Sequence, residues 1–305
     1  MREMKDNIVS RQNTRLGFIG LGLMGSRFLR RLDSMGWRVR GWNRTPNATL
    51  SLRQIGFEIV DRLVSLVGGS DLLLSSLAND DAVRAVYFGE DGVFANVRPD
   101  TIILEMSTIS PDLSAHLHEA AAGRGAFLID LPVSGSTPAV ENGAVTLFAG
   151  GRPEIFERCV PIFQSIAKQW YLMGPATAGI RMKLVVNLLL GVNMAAIAEA
   201  VSLGQHLNLD RDILLDVLPR TAVIAPAFTG KFPKIRTNDY SPQFPLHLMA
   251  KDLRLVAGAA IDSHADLPAT QAAKELFEEA LADNGELDLS AVTLYLSSRD
   301  SLVTT

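Results

Sequence analysis

The stretch LGFIGLGLMGSRFL, residues 16–29, places Gly20, Gly22 and Gly25 in G-x-G-x-x-G spacing, directly after one apolar run and directly before another. The first run is short, closed by glycine and reads as a buried strand. In LMGSRFLRRLDSMG, Leu23, Phe28, Leu32 and Met35 recur at helical spacing. Strand, glycine turn and helix in that order form a dinucleotide-binding arrangement. Gly20 permits the tight turn, Gly22 lets backbone approach a pyrophosphate, and Gly25 lets the helix pack on the strand. The N–H groups at the helix start supply donors to the phosphates. Leu21, Leu23 and Met24 complete this candidate cofactor loop.

Further strand-like runs follow: RVRGWN, DLLLSSL, TIILEMS, AFLIDLPVS and AVTLFAGG, each bounded by Gly, Asp or Pro and separated by helical patterns. Strand and helix in alternation predict an α/β domain over residues 15–176, with a mostly parallel sheet covered on both faces. The end of the second strand decides which dinucleotide is bound. An NAD site usually carries an acid there for the ribose 2′-hydroxyl, but GWNRTPN offers Asn43, Arg44 and Thr45. Arg44 can pair with a 2′-phosphate and its two neighbours can add hydrogen bonds, so the expected cofactor is NADP(H).

After Ala176 the strand signals nearly vanish. A long helix is expected over 177–208, then an all-helical domain over 209–305, broken by Pro219, Pro226, Pro233, Pro242 and Pro245. Asp210, Ser241 and Asp266 stand where helix caps or turns belong. On the long helix Lys183 and Asn187 are i and i+4, hence stacked on one face, with Gly191 continuing the line. Met182, Leu184, Val185, Val186, Leu188 and Leu189 cover the other sides, and their demand for burial would leave the lysine beside a cleft. Desolvation there makes an ammonium a better acid.

At 305 residues the chain exceeds a single ordinary core, and its net charge of -4, with acids and bases mixed, provides no basic stripe for nucleic acid and no polybasic membrane patch. The most apolar run, residues 184–198, is interrupted by Asn187 and Asn193 and falls short of the roughly 20 residues of a membrane span, so a buried core helix is expected. Cys159 stands alone, which excludes a disulfide framework and a thiolate zinc cluster; no metal site is expected, and the chain fits a reducing cytoplasm. Residues 1–14, MREMKDNIVSRQNT, lack the apolar core of a signal peptide and read as a disordered leader.

Two strand ends add polar groups. IDLPVSGS ends in Ser134, Gly135 and Ser136, whose hydroxyl and N–H groups suit a carboxylate, and EMSTISP ends in Ser107 and Thr108. Ligands of open α/β folds bind at such carboxyl ends.

Together, GFIGLGLMG, WNRT, LPVSGS, GIRMKLVVN and MAKDLRL resemble the β-hydroxyacid dehydrogenase (3-hydroxyisobutyrate dehydrogenase-related) family, in the right order from about residue 15 to 296. SPQFPLHLMAKDLRL and the Ser-Gly-Ser form of the loop resemble most its glyoxylate/succinic semialdehyde reductase branch. The resemblance implies a Rossmann-type N-terminal domain, a long interdomain helix, an all-α C-terminal domain, a site in the cleft between them, and a homo-dimer or homo-tetramer. It makes Lys183 the catalytic lysine and Asn187 its companion. Ser134, Gly135, Ser136, Thr108 and Phe244 become substrate-binding residues, while Leu77, Ala78, Thr108, Lys251 and Asp252 join the glycine loop and residues 43–45 around the cofactor. Many members read Ser-Gly-Gly at 134–136, so this chain departs at Ser136.

The implied reaction is NADPH-dependent reduction of a small carboxylate-bearing aldehyde to the hydroxy acid, with Lys183 as proton donor. A 3-hydroxyisobutyrate or tartronate semialdehyde enzyme would use the same residues. An imine reductase shares the WNRT type of cofactor site but generally lacks the lysine. A cofactor-binding assembly module is the reading outside enzymes, and retention of Lys183, Asn187 and the glycine loop speaks against it.

Overall fold

The computed structural model describes residues 9–303. It forms two compact units whose boundary falls between Leu184 and Val185. Among the described residues unit 1 holds one eight-stranded sheet: β1 (Leu16–Ile19), β2 (Val39–Trp42), β3 (Leu72–Ser75), β4 (Ile102–Glu105), β5 (Phe127–Asp130), β6 (Val133–Ser134), β7 (Val145–Gly150) and β8 (Ala167–Gly174). The order is β2-β1-β3-β4-β5-β7-β6, with β8 also paired to β7. Strands β1 to β5 run parallel, and β7 is antiparallel to β5 and β6.

Leu72, Leu73 and Leu74 of β3 and Ile103 and Leu104 of β4 are fully buried, as expected of a parallel sheet clothed on both faces by helices. One cluster of buried side chains gathers Phe18, Phe28, Leu32 and Phe163 on one face, and another gathers Ile19, Leu73, Tyr87 and Leu117 on the other.

The run AFLIDLPVS is not one strand. Pro132 has no N–H to give a ladder, so β5 stops at Asp130 and the chain resumes as β6 against β7. Strand β8, AKQWYLMG, was missing from the expected strands because it is largely exposed, with Ala167 buried in the core and Trp170 and Leu172 packed against it. The expected leader divides: residues 1–8 lie outside the described residues, whereas Val9 is 5% exposed, donates its N–H to Arg158 and packs in the core, so residues 9–14 do not begin as the expected leader.

Unit 2 is helical. Its core joins Met194, Ala198 and Val201 of the long helix Ala178–His206 to Phe232, Met249, Leu253 and Phe277. Asp210 caps the helix Arg211–Val217 through Ile213 N–H at 2.9 Å. Ser241 and Asp266 do not cap: Ser241 Oγ takes the Lys234 ammonium at 2.8 Å, and the helix Pro268–Glu279 opens from Leu267 without a side-chain cap.

The long helix has 29 residues and is apolar and long enough to cross a membrane, yet 44% of its most apolar window is buried in the protein. Its burial departs from one expectation at two positions. Lys183 and Asn187 are 9% and 0% exposed, while Val185 and Leu189, expected to be covered, are each 56% exposed. The polar stripe is the inward one.

Candidate active site

In unit 1 the chain passes from β1 to β2 on one side and to β3 on the other, which makes the carboxyl ends of β1 and β3 a topological switch point, where open α/β sheets bind ligands. The glycine loop lies there. Gly20 has φ of 87° and accepts this conformation because it lacks a Cβ. A Cβ on Gly25 would overlap the Gly20 carbonyl oxygen, so this glycine is required for the helix Gly25–Ser34 to start where it does. Gly22 is different: among the described residues, no atom beyond its own chain neighbours lies within 4 Å of where its Cβ would be. Backbone that is open on that side, ahead of a helix with no acid in its first turn, fits a pyrophosphate.

Asn43 ties this loop to the end of β2. Its Oδ1 accepts Leu21 N–H at 3.0 Å and its Nδ2 donates to Thr45 O at 3.1 Å. Its amide therefore holds the loop, and Arg44 and Thr45 beside it are exposed. The loops after β3 and β4 are joined by a buried network. Glu105, at the end of β4, accepts Ser107 N–H at 2.8 Å and the Ser75 hydroxyl, which also meets the Tyr87 hydroxyl at 2.6 Å. Ser107 Oγ in turn accepts Leu77 N–H at 2.8 Å. Burial pushes the Glu105 carboxyl above the usual glutamate value, against the pull of these donors. The network sets the position of Leu77 and Ala78 on one loop and of half-buried Thr108 on the next.

Beyond β5, Ser134 and Ser136 are half-buried around Gly135, whose φ of 148° and whose neighbour Val145, 2.9 Å from the position of a Cβ, leave room for glycine alone. The helix carrying Lys183 is fixed to the same strand. Asp130, the last residue of β5, accepts Thr177 N–H at 2.9 Å and Ile180 N–H at 2.8 Å, and its Oδ1 meets His118 Nε2 at 2.8 Å.

In unit 2 the amide of Asn187 donates to Asp252 Oδ2 at 2.5 Å, while Lys251 Nζ lies 2.8 Å from Asp252 Oδ1. Asp252, expected beside the cofactor, is 2% exposed and serves these protein groups. With its NH2 so committed, Asn187 keeps Oδ1 buried and without a hydrogen-bond partner among the described residues. Phe244 is half-buried and is set by Asp288, whose Oδ2 accepts Gln243 N–H at 3.0 Å and Phe244 N–H at 3.3 Å. Asp288 also pairs with Lys231 at 2.8 Å.

Three acids that organise these groups, Glu105, Asp130 and Asp288, were not read from the sequence. For the first two a signal existed: in IILEMS and FLIDLP each acid ends an otherwise apolar strand, a place where a carboxylate needs buried donors.

The family model for the NAD-binding domain of 6-phosphogluconate dehydrogenase matches residues 15–174, and that for the NAD-binding region of NADP-dependent 3-hydroxyisobutyrate dehydrogenase matches residues 177–296. Glyoxylate/succinic semialdehyde reductase 1 of Arabidopsis thaliana is 32% identical over 278 residues, spanning 91% of this chain and 96% of its own. The 3-hydroxyisobutyrate dehydrogenase of Pseudomonas aeruginosa is 31% identical over 297 residues, spanning 94% of this chain and 100% of its own. The solved structure of Psf3 in complex with NADP+ and 2-OPP matches with a TM-score of 0.86 at 26% identity, over 92% of this chain and 99% of that one. A parallel sheet with its glycine loop at the switch point, followed by a helical unit and matched along its length by these relatives, belongs to the β-hydroxyacid dehydrogenase family of NAD(P)-dependent oxidoreductases.

Proposed function

We propose that this protein reduces a small carboxylate-bearing aldehyde, glyoxylate, succinic semialdehyde or a close analogue, to the hydroxy acid, with NADPH as reductant. The observation that carries the reading is Lys183. It is a lysine only 9% exposed, on a helix anchored to the same strand that leads into the 134–136 loop. When bound, the nicotinamide supplies the reducing equivalent to the carbonyl carbon. The residues of the chain do the rest. The 20–25 loop and the helix start hold the pyrophosphate, and Arg44 holds the 2′-phosphate, with Asn43 and Thr45 around it. Ser134, Gly135 and Ser136 hold the substrate carboxylate, while Thr108 and Phe244 bound its chain. Lys183 gives its proton to the carbonyl oxygen as charge develops there. Asn187, its NH2 bound to Asp252, offers Oδ1 as acceptor to the hydroxyl that the reduction forms. Leu77, Ala78 and Lys251 complete the cofactor surroundings.

A 3-hydroxyisobutyrate or tartronate semialdehyde activity is the second reading, favoured by the relative from Pseudomonas aeruginosa. Cofactor oxidation with glyoxylate, succinic semialdehyde, methylmalonate semialdehyde and a cyclic imine, each with NADPH and NADH, separates these readings. Turnover of the imine alone would overturn both. Lys183→Ala is expected to lower kcat by about two powers of ten or more while still binding NADPH; near-normal turnover would remove the lysine from the mechanism. Arg44→Ala should weaken NADPH far more than NADH, and equal effects would discard the 2′-phosphate role.

We place the protein in the cytoplasm as a homo-dimer or homo-tetramer. Its one cysteine, Cys159, is buried, with a thiol that burial pushes up to about 12. Exposed Leu203, Leu207, Ile213 and Val217 in unit 2 supply apolar surface for association, which light scattering would measure.

A further inference from the structure

We propose that Asp130 is a positioning residue for the reaction, and that His118 orients it. Its carboxylate fixes the height and rotation of the helix that carries Lys183 against the strand end from which the 134–136 loop springs. The inference rests on Lys183 as proton donor.

Asp130 is 2% exposed, and three donors reach it from two directions. Oδ1 accepts Thr177 N–H and meets His118 Nε2, while Oδ2 accepts Ile180 N–H. Two of these N–H groups belong to the start of the helix Ala178–His206, where the first turn has no partners of its own and its dipole favours a negative charge. Both carboxylate oxygens are used, so the helix can neither slide nor turn without breaking a bond to one of them. Ile180 lies three residues before Lys183, and Asp130 four residues before Ser134, so one side chain references both the proton donor and the carboxylate loop.

The surroundings are built for this carboxylate. A Cβ at Gly150 would lie 2.5 Å from Oδ1, and one at Gly179 would lie 2.8 Å from Oδ2, so both glycines clear its space. Thr177 is held at φ of 72°, a left-handed conformation unfavourable for a non-glycine residue, and in it Thr177 aims its N–H at Asp130. His118 comes from the helix Pro111–Gly123, has a side chain only 14% exposed, and fixes which way the carboxylate faces. Misplacing a catalytic group by about 1 Å from a distance can cost on the order of 100-fold in rate, which is the size of effect that a loosened anchor would produce.

The test is steady-state kinetics and cofactor binding on the full chain. Asp130→Asn keeps the shape but turns an NH2 toward at least one of the N–H donors. It is expected to fold, to bind NADPH within about threefold of the parent, and to lose kcat by about 10- to 100-fold. His118→Gln, which can still donate at the Nε2 position, should keep most of kcat, while His118→Leu should lose about tenfold. Added to Lys183→Ala, Asp130→Asn should lower product formation no further, because the group it positions is gone. A kcat for Asp130→Asn within about twofold of the parent, equal losses in the two His118 variants, or a further full-sized loss in the Lys183→Ala background would each overturn the proposal. Should Asp130→Asn fail to fold, the two His118 variants decide alone. Near-normal turnover of Lys183→Ala would sink the lysine reading itself, whereas a crippled Lys183→Ala beside a healthy Asp130→Asn sinks only the present inference.

Discussion

A methyl group at Gly25 would overlap the carbonyl oxygen of Gly20, whereas one at Gly22 would meet, among the described residues, no atom within 4 Å beyond its own chain neighbours. The two glycines of one motif therefore do different jobs, one for the fold and one for the ligand. Gly25→Ala is expected to destabilise the protein by about 1–3 kcal/mol, as overpacking does. Gly22→Ala should leave the melting temperature near the parent value but weaken NADPH by about tenfold or more, roughly 1.4 kcal/mol. Thermal melts and cofactor titrations on the pair check both statements, and the reverse pattern would discard the pyrophosphate role of the 20–25 loop. Asn43 teaches the same lesson. Its residue type suggested a cofactor contact, but its amide spans Leu21 N–H and Thr45 O, so its first duty is to hold β1 and β2 loops together.

Among the elements, those with unbroken apolar runs were legible, and those whose role depends on a distant partner were not. The stretches around β1, β3 and β4 announce themselves, while β8 exposes most of its side chains and exists as a strand because β7 offers it a ladder. The helix Lys231–Thr237 shows how a buried pair can fix an element. Lys231 Nζ reaches both oxygens of Asp288 at 2.8 Å, and Asp288 also accepts the N–H groups of Gln243, Phe244 and Ser290. Burial alone would raise the Asp288 carboxyl, but the Lys231 ammonium and these donors hold it below its ordinary value of 3.8. The stability it contributes is thus present above that value and is lost as pH falls through the depressed one. Unfolding free energy measured from neutral to strongly acid pH should therefore fall at the acid end, and Asp288→Asn should flatten that fall. Lys231→Ala, which leaves a buried charge unpaired, should cost about 3–5 kcal/mol. An unchanged acid limb in Asp288→Asn would mean that other carboxylates carry it.

For the molecule as a whole, each unit has its own buried core, and the cofactor loop belongs to unit 1. NADPH at a hundredfold excess over its Kd should stabilise the native protein by about 2.7 kcal/mol. Hydrogen exchange should show the gain in the strands of residues 15–174, β1 and β3 among them. Protection confined to residues 185–303 would contradict a cofactor site at the β1 and β3 carboxyl ends. The boundary between the units falls within the long helix, because the first turn of that helix is bound to Asp130 and its later turns to the core of unit 2.

Local pattern settled much of this protein. Glycines at fixed spacing after an apolar run, strand and helix in alternation, then helices only, and a lysine and an asparagine one turn apart are properties of neighbours along the chain, so the sequence displays them directly. The acids at 105, 130 and 288 acquire their meaning from donors between two and 57 residues away in the chain. So does the inward turn of Lys183 and Asn187, since an apolar helix can bury either face and only tertiary packing selects one. Buried polar groups take their partners wherever the fold brings donors and acceptors together, and no local periodicity encodes that meeting.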